Sequence, residues 1–406
     1  MPLSWLDRAL LSNVRKAAGP ASIRVAMGTP DPSVTSISAE DPTIWIRDRQ
    51  TLLDLARNPQ VNFGDLYSEG RIQVEGDLLE LIERMYHAPI TLSNKFYSTV
   101  LNWLQSNSLG ASRRNIHHHY DLSNDFYQLW LDRDMLYTCA YFPNPDVTLE
   151  EAQTAKMNLV CRKLWLRPGE TVVEAGCGWG ALALHMAAQY GVKVKAFNIS
   201  REQIGFAQER ARRAGLSSQV EFIEDDYRNI RGHFDAFVSV GMLEHVGKSH
   251  YREFSQVIRR TIGEQGRGLL HFIGRNHPRP LSAWIRKRIF PGGYAPTLRE
   301  AAEFLEPHDY SVLDVENLRM HYARTIGHWR QRFEDNYDTI CEQFSPCFAR
   351  MWHLYLTGSM AAFRTGSLQL FQLVFAGRQC ATQPWNRAYL YEAPGIEDES
   401  CARATS

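Results

Sequence analysis

The pattern of apolar and polar positions changes character near residue 150. From there to about residue 275, short apolar runs alternate with stretches of helical period. The runs at 171–175, 192–197, 220–223, 235–240 and 268–273 are rich in Val, Ile, Leu and Phe and end at turn residues. Such runs predict strands buried on both faces. Between them, 150–164, 181–190, 200–214 and 251–262 predict helices, punctuated by Pro168-Gly169, Gly191 and Gly215. Ser200 followed by Gln203 predicts a capping box at the start of its helix. This alternation is that of a doubly wound, Rossmann-like α/β sheet. Two later runs, 311–318 and 368–375, predict an antiparallel edge.

Residues 1–90 mix short helical and strand-like pieces and predict a small α+β domain. Leu3, Leu6, Leu10 and Val14 recur at helical spacing. The favoured reading is a helix packed on its own domain, with a membrane-surface helix as the alternative. Residues 91–115 predict a helical linker, 116–392 the catalytic domain, and 393–406 a loose tail.

Composition narrows the classes. The formal net charge of zero gives no bulk attraction to nucleic acid. Seven scattered cysteines without a CxxC argue against a disulfide framework or zinc ribbon and fit a reducing cytosol. Adjacent His117, His118 and His119 point in different directions and predict no metal site. No run approaches the roughly 18 apolar residues of a span, and the charged start is not a secretory signal.

The candidate chemistry sits at strand ends. Gly176-Cys177-Gly178-Trp179-Gly180 follows the first predicted strand and precedes a helix, where glycines let backbone approach a nucleotide-like ligand. A dinucleotide unit would place an acid about 20 residues on, but strand two ends in Phe197-Asn198. The form beginning at Glu174 instead favours S-adenosylmethionine. Asp226-Tyr227, after strand three, offers an acid and an aromatic for an adenine. Glu244 follows strand four and His271 lies on strand five; these ends converge on one crevice, where a carboxylate and an imidazole can do acid–base work.

At these residues the chain resembles the cyclopropane-fatty-acyl-phospholipid synthases and their mycolic acid relatives. The motifs are HYDLSNDFY (119–127), LYTCAYF (136–142), VVEAGCGWG (172–180), NISREQ (198–203), VGMLEHVG (240–247), LLHFIG (269–274), FPGG (290–293) and FRTGSLQLFQLVF (363–375). GDLYSEGRIQVEGDLLEL (64–81) resembles the N-terminal domain of the phospholipid branch. The resemblance implies methylene transfer from S-adenosylmethionine to the cis double bond of an acyl chain in an unsaturated phospholipid, through a carbocation. Bicarbonate is implied as base, held by Cys139, Glu244, His271, the Ile273 N–H and Tyr322, with His271 protonated. For the cofactor it implies Tyr137, Thr138, the 172–180 loop, Asn198, Ser200, Gln203 and Tyr227, with Gln203 at the ribose. Tyr137, Tyr141, Phe142, Phe272 and Tyr322 are candidates to face the cation, and Tyr120, Asn124, Phe126 and Tyr127 to cover the cofactor and line the acyl channel. Where relatives often carry a cysteine, this chain has Ser359; either this enzyme is altered or that cysteine is not a required nucleophile, and the second reading is favoured because the chemistry needs no covalent enzyme intermediate.

Arg275, Arg279, Arg286, Lys287 and Arg288 interleave with Trp284, Ile285, Ile289 and Phe290, a composition suited to anionic head groups. The expectation is a cytoplasmic enzyme peripherally bound to the inner face of the cell membrane, with a homodimer implied by resemblance. The alternatives are a 10-methylene or methyl-branched fatty acid synthase, a small-molecule N-methyltransferase, and a lipid-binding protein with a relic catalytic domain.

Overall fold

The computed structural model describes residues 5–17, 23–30, 41–87, 123–381 and 384–391. The expected linker helix, His117 to Tyr120 and the tail fall outside them.

The N-terminal unit has a three-stranded sheet. Strand β1 (Arg24–Met27) pairs parallel with β2 (Thr43–Ile46), which pairs antiparallel with β3 (Ile72–Glu75). Helices at Arg49–Arg57, Pro59–Ser68 and Leu78–His87 cover it. Ile46, Leu52 and Leu81 are wholly buried between these layers. The Trp5–Ala17 helix packs here too: Leu11 is buried and Leu10 and Val14 lie against the same core. It therefore covers its own domain, the favoured of the two readings.

The second sheet has seven strands: β4 (Thr171–Ala175), β5 (Lys193–Asn198), β6 (Val220–Glu224), β7 (Ala236–Val240), β8 (Arg267–Gly274), β9 (Tyr310–Asn317) and β10 (Gln369–Gly377). Their spatial order is β6-β5-β4-β7-β8-β10-β9. The first five are parallel, and β10 runs antiparallel to both β8 and β9. The antiparallel pair is as expected, but only β9 is an edge. β10 is buried at every position and lies inside, whereas most of β9 is exposed or half-exposed. Helices such as Leu149–Lys163, Ala181–Tyr190 and Tyr251–Ile262 cover the two faces. The first begins with a full capping box from Thr148 and Glu151.

The N-terminal unit docks through its Pro59–Ser68 and Leu78–His87 helices on the long Pro346–Arg364 helix. Part of the basic, aromatic segment joins this contact. Trp284 and Ile289 are buried, and Arg286 is buried with them. Trp284 Nε1 donates to Asp65 Oδ1 at 3.1 Å, and Arg288 bonds both Asp65 oxygens at 2.9 and 2.8 Å. Asp65 consequently stays below its usual carboxylate range; burial opposes this, but Arg288 and Lys287 prevail. The expected membrane face is thus in part a joint: Asp65 pairs with Arg288 and Lys287, while Arg279, Lys287 and Arg288 stay exposed.

A Cβ on Gly64 would stand 2.4 Å from the Trp284 indole nitrogen. Gly64→Val should therefore part the Pro59–Ser68 helix from Trp284. Limited proteolysis is expected to release the N-terminal unit several-fold faster in the variant, with the cofactor affinity of the remainder unchanged.

Candidate active site

A small cavity of about 110 Å³ lies at the C-terminal ends of β4, β5 and β7. Glu174, Gly176, Cys177, Gly178, Trp179, Asn198 and Gln203 line it with Tyr137 and Thr138, so these expected cofactor residues come together. Gly176 has φ +85°, and a Cβ there would be 2.9 Å from Met242 Cβ. The loop is pinned from two sides. Trp179 Nε1 donates to Asn124 Oδ1 at 2.7 Å, and Asn198 Nδ2 donates to Gly178 O at 3.3 Å.

Asn198 Nδ2 also donates to Gln203 Oε1 at 2.6 Å. This overturns the capping box: Ser200 Oγ accepts from the Gln203 N–H at 3.4 Å, but the Gln203 side chain turns to Asn198 instead of returning. Its Nε2 is left buried without a partner, a donor where strand two lacks an acid. Glu174 is buried, its Oε2 has no partner, and desolvation raises it to about 8 although Lys156 opposes.

Four expected cofactor residues stand outside this lining. Gly180 caps the Ala181–Tyr190 helix with φ +83°, and a Cβ would strike Phe222 at 2.6 Å. It is there for packing. Ser200 is a helix cap. Asp226 is spent on Arg228, accepting from its N–H at 2.9 Å and pairing with its guanidinium at 3.1 Å. Tyr227 packs edge-on against Phe254. The adenine role expected of Asp226 and Tyr227 is not supported by this placement.

A larger cavity of about 520 Å³ adjoins the first; Tyr137, Thr138, Gly241 and His245 line both. Cys139, Glu244, His271, Ile273, Tyr322 and Ser359 line the larger one, which brings the expected acid–base set together. Glu244 Oε1 accepts from the Ile273 N–H at 2.5 Å, while Oε2 is buried with no partner. Desolvation raises Glu244 to about 7, the Ile273 bond opposing. The Ile273 N–H, expected to face an anion, therefore holds Glu244 instead.

His271 Nδ1 lies 3.1 Å from Gln372 Nε2, and its Nε2 is buried without a partner. Desolvation, then Lys156 and Lys163, push this imidazole well below its ordinary value. It is neutral, contrary to the expected cation. Gln372 thus occupies Nδ1 and leaves Nε2 as the ring nitrogen that can meet a ligand. The nearby positive charge is Lys156, buried in the Leu149–Lys163 helix and bonded to Thr138 Oγ1 at 3.0 Å. Burial lowers it to about 8, with Asp132 opposing. Cys139 is a neutral thiol: its Sγ donates to Ala140 O at 3.1 Å, and burial pushes it far up.

Of the aromatics expected to face a cation, Tyr137 and Tyr322 line the larger cavity. Tyr141 and Phe142 stack on His321 instead, and Phe272 packs against Phe371. Phe126, Tyr127 and Trp130 line neither cavity. They are wholly buried, with Tyr127 and Trp130 against the Tyr137 ring, so they support that ring rather than cover a ligand. Trp329 and Tyr355 enter unforeseen; Tyr355 shares a 2.6 Å hydroxyl contact with Tyr137.

The family model for mycolic acid cyclopropane synthetase matches residues 107–373. A probable fatty acid methyltransferase of Pseudomonas putida is 34% identical over 86% of this chain and 91% of its own. The cyclopropane-fatty-acyl-phospholipid synthase of Escherichia coli K12 is 42% identical over 64% of this chain and 66% of its own. The crystal structure of mycolic acid cyclopropane synthase CmaA1 complexed with SAH and CTAB superposes with a TM-score of 0.62 at 32% identity, covering 65% of this chain and 97% of that one.

Proposed function

Because the chain belongs to the mycolic acid cyclopropane synthetase family of S-adenosylmethionine-dependent methyltransferases, we propose that it converts cis double bonds of phospholipid acyl chains to cyclopropanes. The observation that carries this is the junction of the two cavities. A small one holds the glycine loop, a larger and more apolar one holds Glu244 and His271, and they share a wall at Tyr137, Thr138, Gly241 and His245.

The residues fit both implied groups. For S-adenosylmethionine there is the glycine cradle, the orphan Gln203 Nε2 donor and the orphan Glu174 oxygen. For a small anion there are the unpartnered His271 Nε2, a Glu244 oxygen able to carry a proton, and the Lys156 charge nearby, with Cys139 and Tyr322 in the same wall. When bound, S-adenosylmethionine supplies an electrophilic methyl group and bicarbonate a base.

Attack by a neutral alkene leaves positive charge on the acyl chain, and the ring closes when a proton leaves the added carbon. Tyr137, Tyr322 and Trp329 turn aromatic surface toward that charge, worth about 0.5–2 kcal/mol per well-placed ring. Glu244, poised near 7, takes the proton onward, while its Ile273 bond fixes the carboxylate's direction. Buried apolar walls exclude water that would otherwise trap the cation. Ser359 in the wall is consistent with a route that needs no cysteine nucleophile there.

No helix among the described residues is long and apolar enough to cross a membrane; on our reading the enzyme works from the bilayer surface, drawing one chain inward. A methylene- or methyl-branched product keeps the same first step, and the Pseudomonas putida relative's name as a fatty acid methyltransferase keeps that second reading in play.

Expression in a bacterium lacking cyclopropane lipids tests this. Fatty acid methyl esters should gain the mass of one CH₂ at the expense of monounsaturated chains, with ring-proton NMR signals. Exocyclic methylene signals would select the branched product, and unchanged chains would refute both.

A further inference from the structure

We propose that Arg275, assisted by Arg279, forms a phosphodiester-binding subsite at the open end of the larger cavity. This rests on the phospholipid reading above and adds where the head group is held. The basic segment appeared in the sequence as a membrane-facing stripe, but these two arginines line the cavity itself.

Arg275 is 7% exposed, and its Nε is buried with no hydrogen-bond partner. Among the described residues its side chain makes no hydrogen bond or ion pair, while its backbone is held firmly. Its N–H donates to Pro296 O at 2.9 Å, within a bridge to Thr297. No carboxylate among the described residues acts on its charge. A buried guanidinium without a counter-charge is costly unless a ligand supplies one. Burial and then Arg279 draw Arg275 down only to about 10, so it stays charged at neutral pH.

Arg279 is exposed and tied to Ser367 Oγ at 2.5 Å, a residue of the same wall. Met85 and Tyr86, which also line the cavity, are 37% and 43% exposed, so this end opens to solvent. An apolar channel with two guanidiniums at its mouth suits an amphiphile with an anionic head, and the planar donor fork of arginine matches phosphate oxygens.

The span also accommodates a phosphodiester. His271, Ile273 and Arg275 line the cavity while Phe272 and Gly274 do not, as strand alternation requires. Four residues of extended chain put Arg275 about 13 Å from His271. Half of one leaflet's hydrocarbon is about 7–8 Å, and the glycerol linkage adds a few more. A phosphate at Arg275 thus brings a mid-chain double bond toward His271.

The test uses the full chain with S-adenosylmethionine and mixed micelles of dioleoylphosphatidylglycerol, dioleoylglycerol or oleate. Arg275→Met should lower kcat/KM about 100-fold for the phospholipid, the scale of losing one buried charged contact, and about threefold or less for dioleoylglycerol. Arg275→Lys should recover about tenfold of that loss, and Arg279→Ala should show the same selectivity more weakly. Unchanged binding of S-adenosylhomocysteine confirms that the variants are folded. Equal loss on phospholipid and dioleoylglycerol, no loss on phospholipid, or loss confined to oleate each overturns the subsite while leaving the proposed function standing. Wild-type protein inert toward all three lipids contradicts the function and the subsite together.

Discussion

Glu244→Gln is expected to cut turnover at least about 1,000-fold while leaving S-adenosylhomocysteine affinity within about threefold and raising stability above neutral pH. The catalytic loss is at the upper part of the range for removing a positioned acid–base group. Binding survives because Glu244 lines the acyl cavity and is absent from the lining of the cofactor cavity. The stability gain follows from linkage. Burial raises Glu244 from 4.5 to about 7 in the folded state. An acid raised on folding costs nothing below the unfolded value, weakens the fold progressively from about 4.5 to about 7, and leaves a constant penalty above that. Removing the charge is worth about 3 kcal/mol at pH 8, and one unsatisfied amide donor in glutamine returns about 1 kcal/mol. Thermal unfolding should thus favour the variant by about 2 kcal/mol at pH 8 and show no gain at pH 4. Wild-type kcat/KM should rise with pH through about 7 as Glu244 ionises. A variant no more stable at pH 8 would show that Glu244 is not held in a desolvated site.

Gly176→Val should do the reverse, weakening S-adenosylhomocysteine binding at least about 100-fold by calorimetry. The backbone there has φ +85°, in the left-handed region, and a Cβ would meet Met242 at 2.9 Å. Left-handed backbone costs a non-glycine residue roughly 1–2 kcal/mol, more for a β-branched one. The added methyls must also push Met242 or fill the cradle. Unaltered binding in this variant would place the cofactor elsewhere. The two substitutions together separate the cavities: one variant binds without turning over, and the other does not bind.

The parts of this molecule legible in sequence are those governed by periodicity and by backbone. Apolar runs of β4 to β8, broken by glycines, could have few meanings besides a parallel sheet. The glycine loop announced itself because glycine is the residue favoured at its successive positive φ values of +85° and +54°. Side-chain partners were harder. Asp226 had the right place in the chain for a ligand contact, yet its neighbour Arg228 claims it. The segment around Trp284 had a membrane-like composition, yet Asp65, more than two hundred residues away, pairs with its Arg288 and Lys287. Lys156 was missed, although a signal exists. It occupies the apolar stripe of its helix with Ala152, Gln153, Val160 and Cys161, all buried. A lysine on such a stripe is a buried cation, and buried cations ask for a reason. Gln372 carries the same kind of signal, a polar residue inside the wholly buried β10.

The most direct test of the central claim follows the methyl group itself. Purified protein is given S-adenosylmethionine deuterated at the methyl, with vesicles of dioleoylphosphatidylglycerol, and the acyl products are read by mass spectrometry. The account predicts that two of the three deuterons are retained in the lipid, because one leaves from the added carbon as the product forms. Retention of all three, or deuterium found only outside the acyl chains, would contradict it.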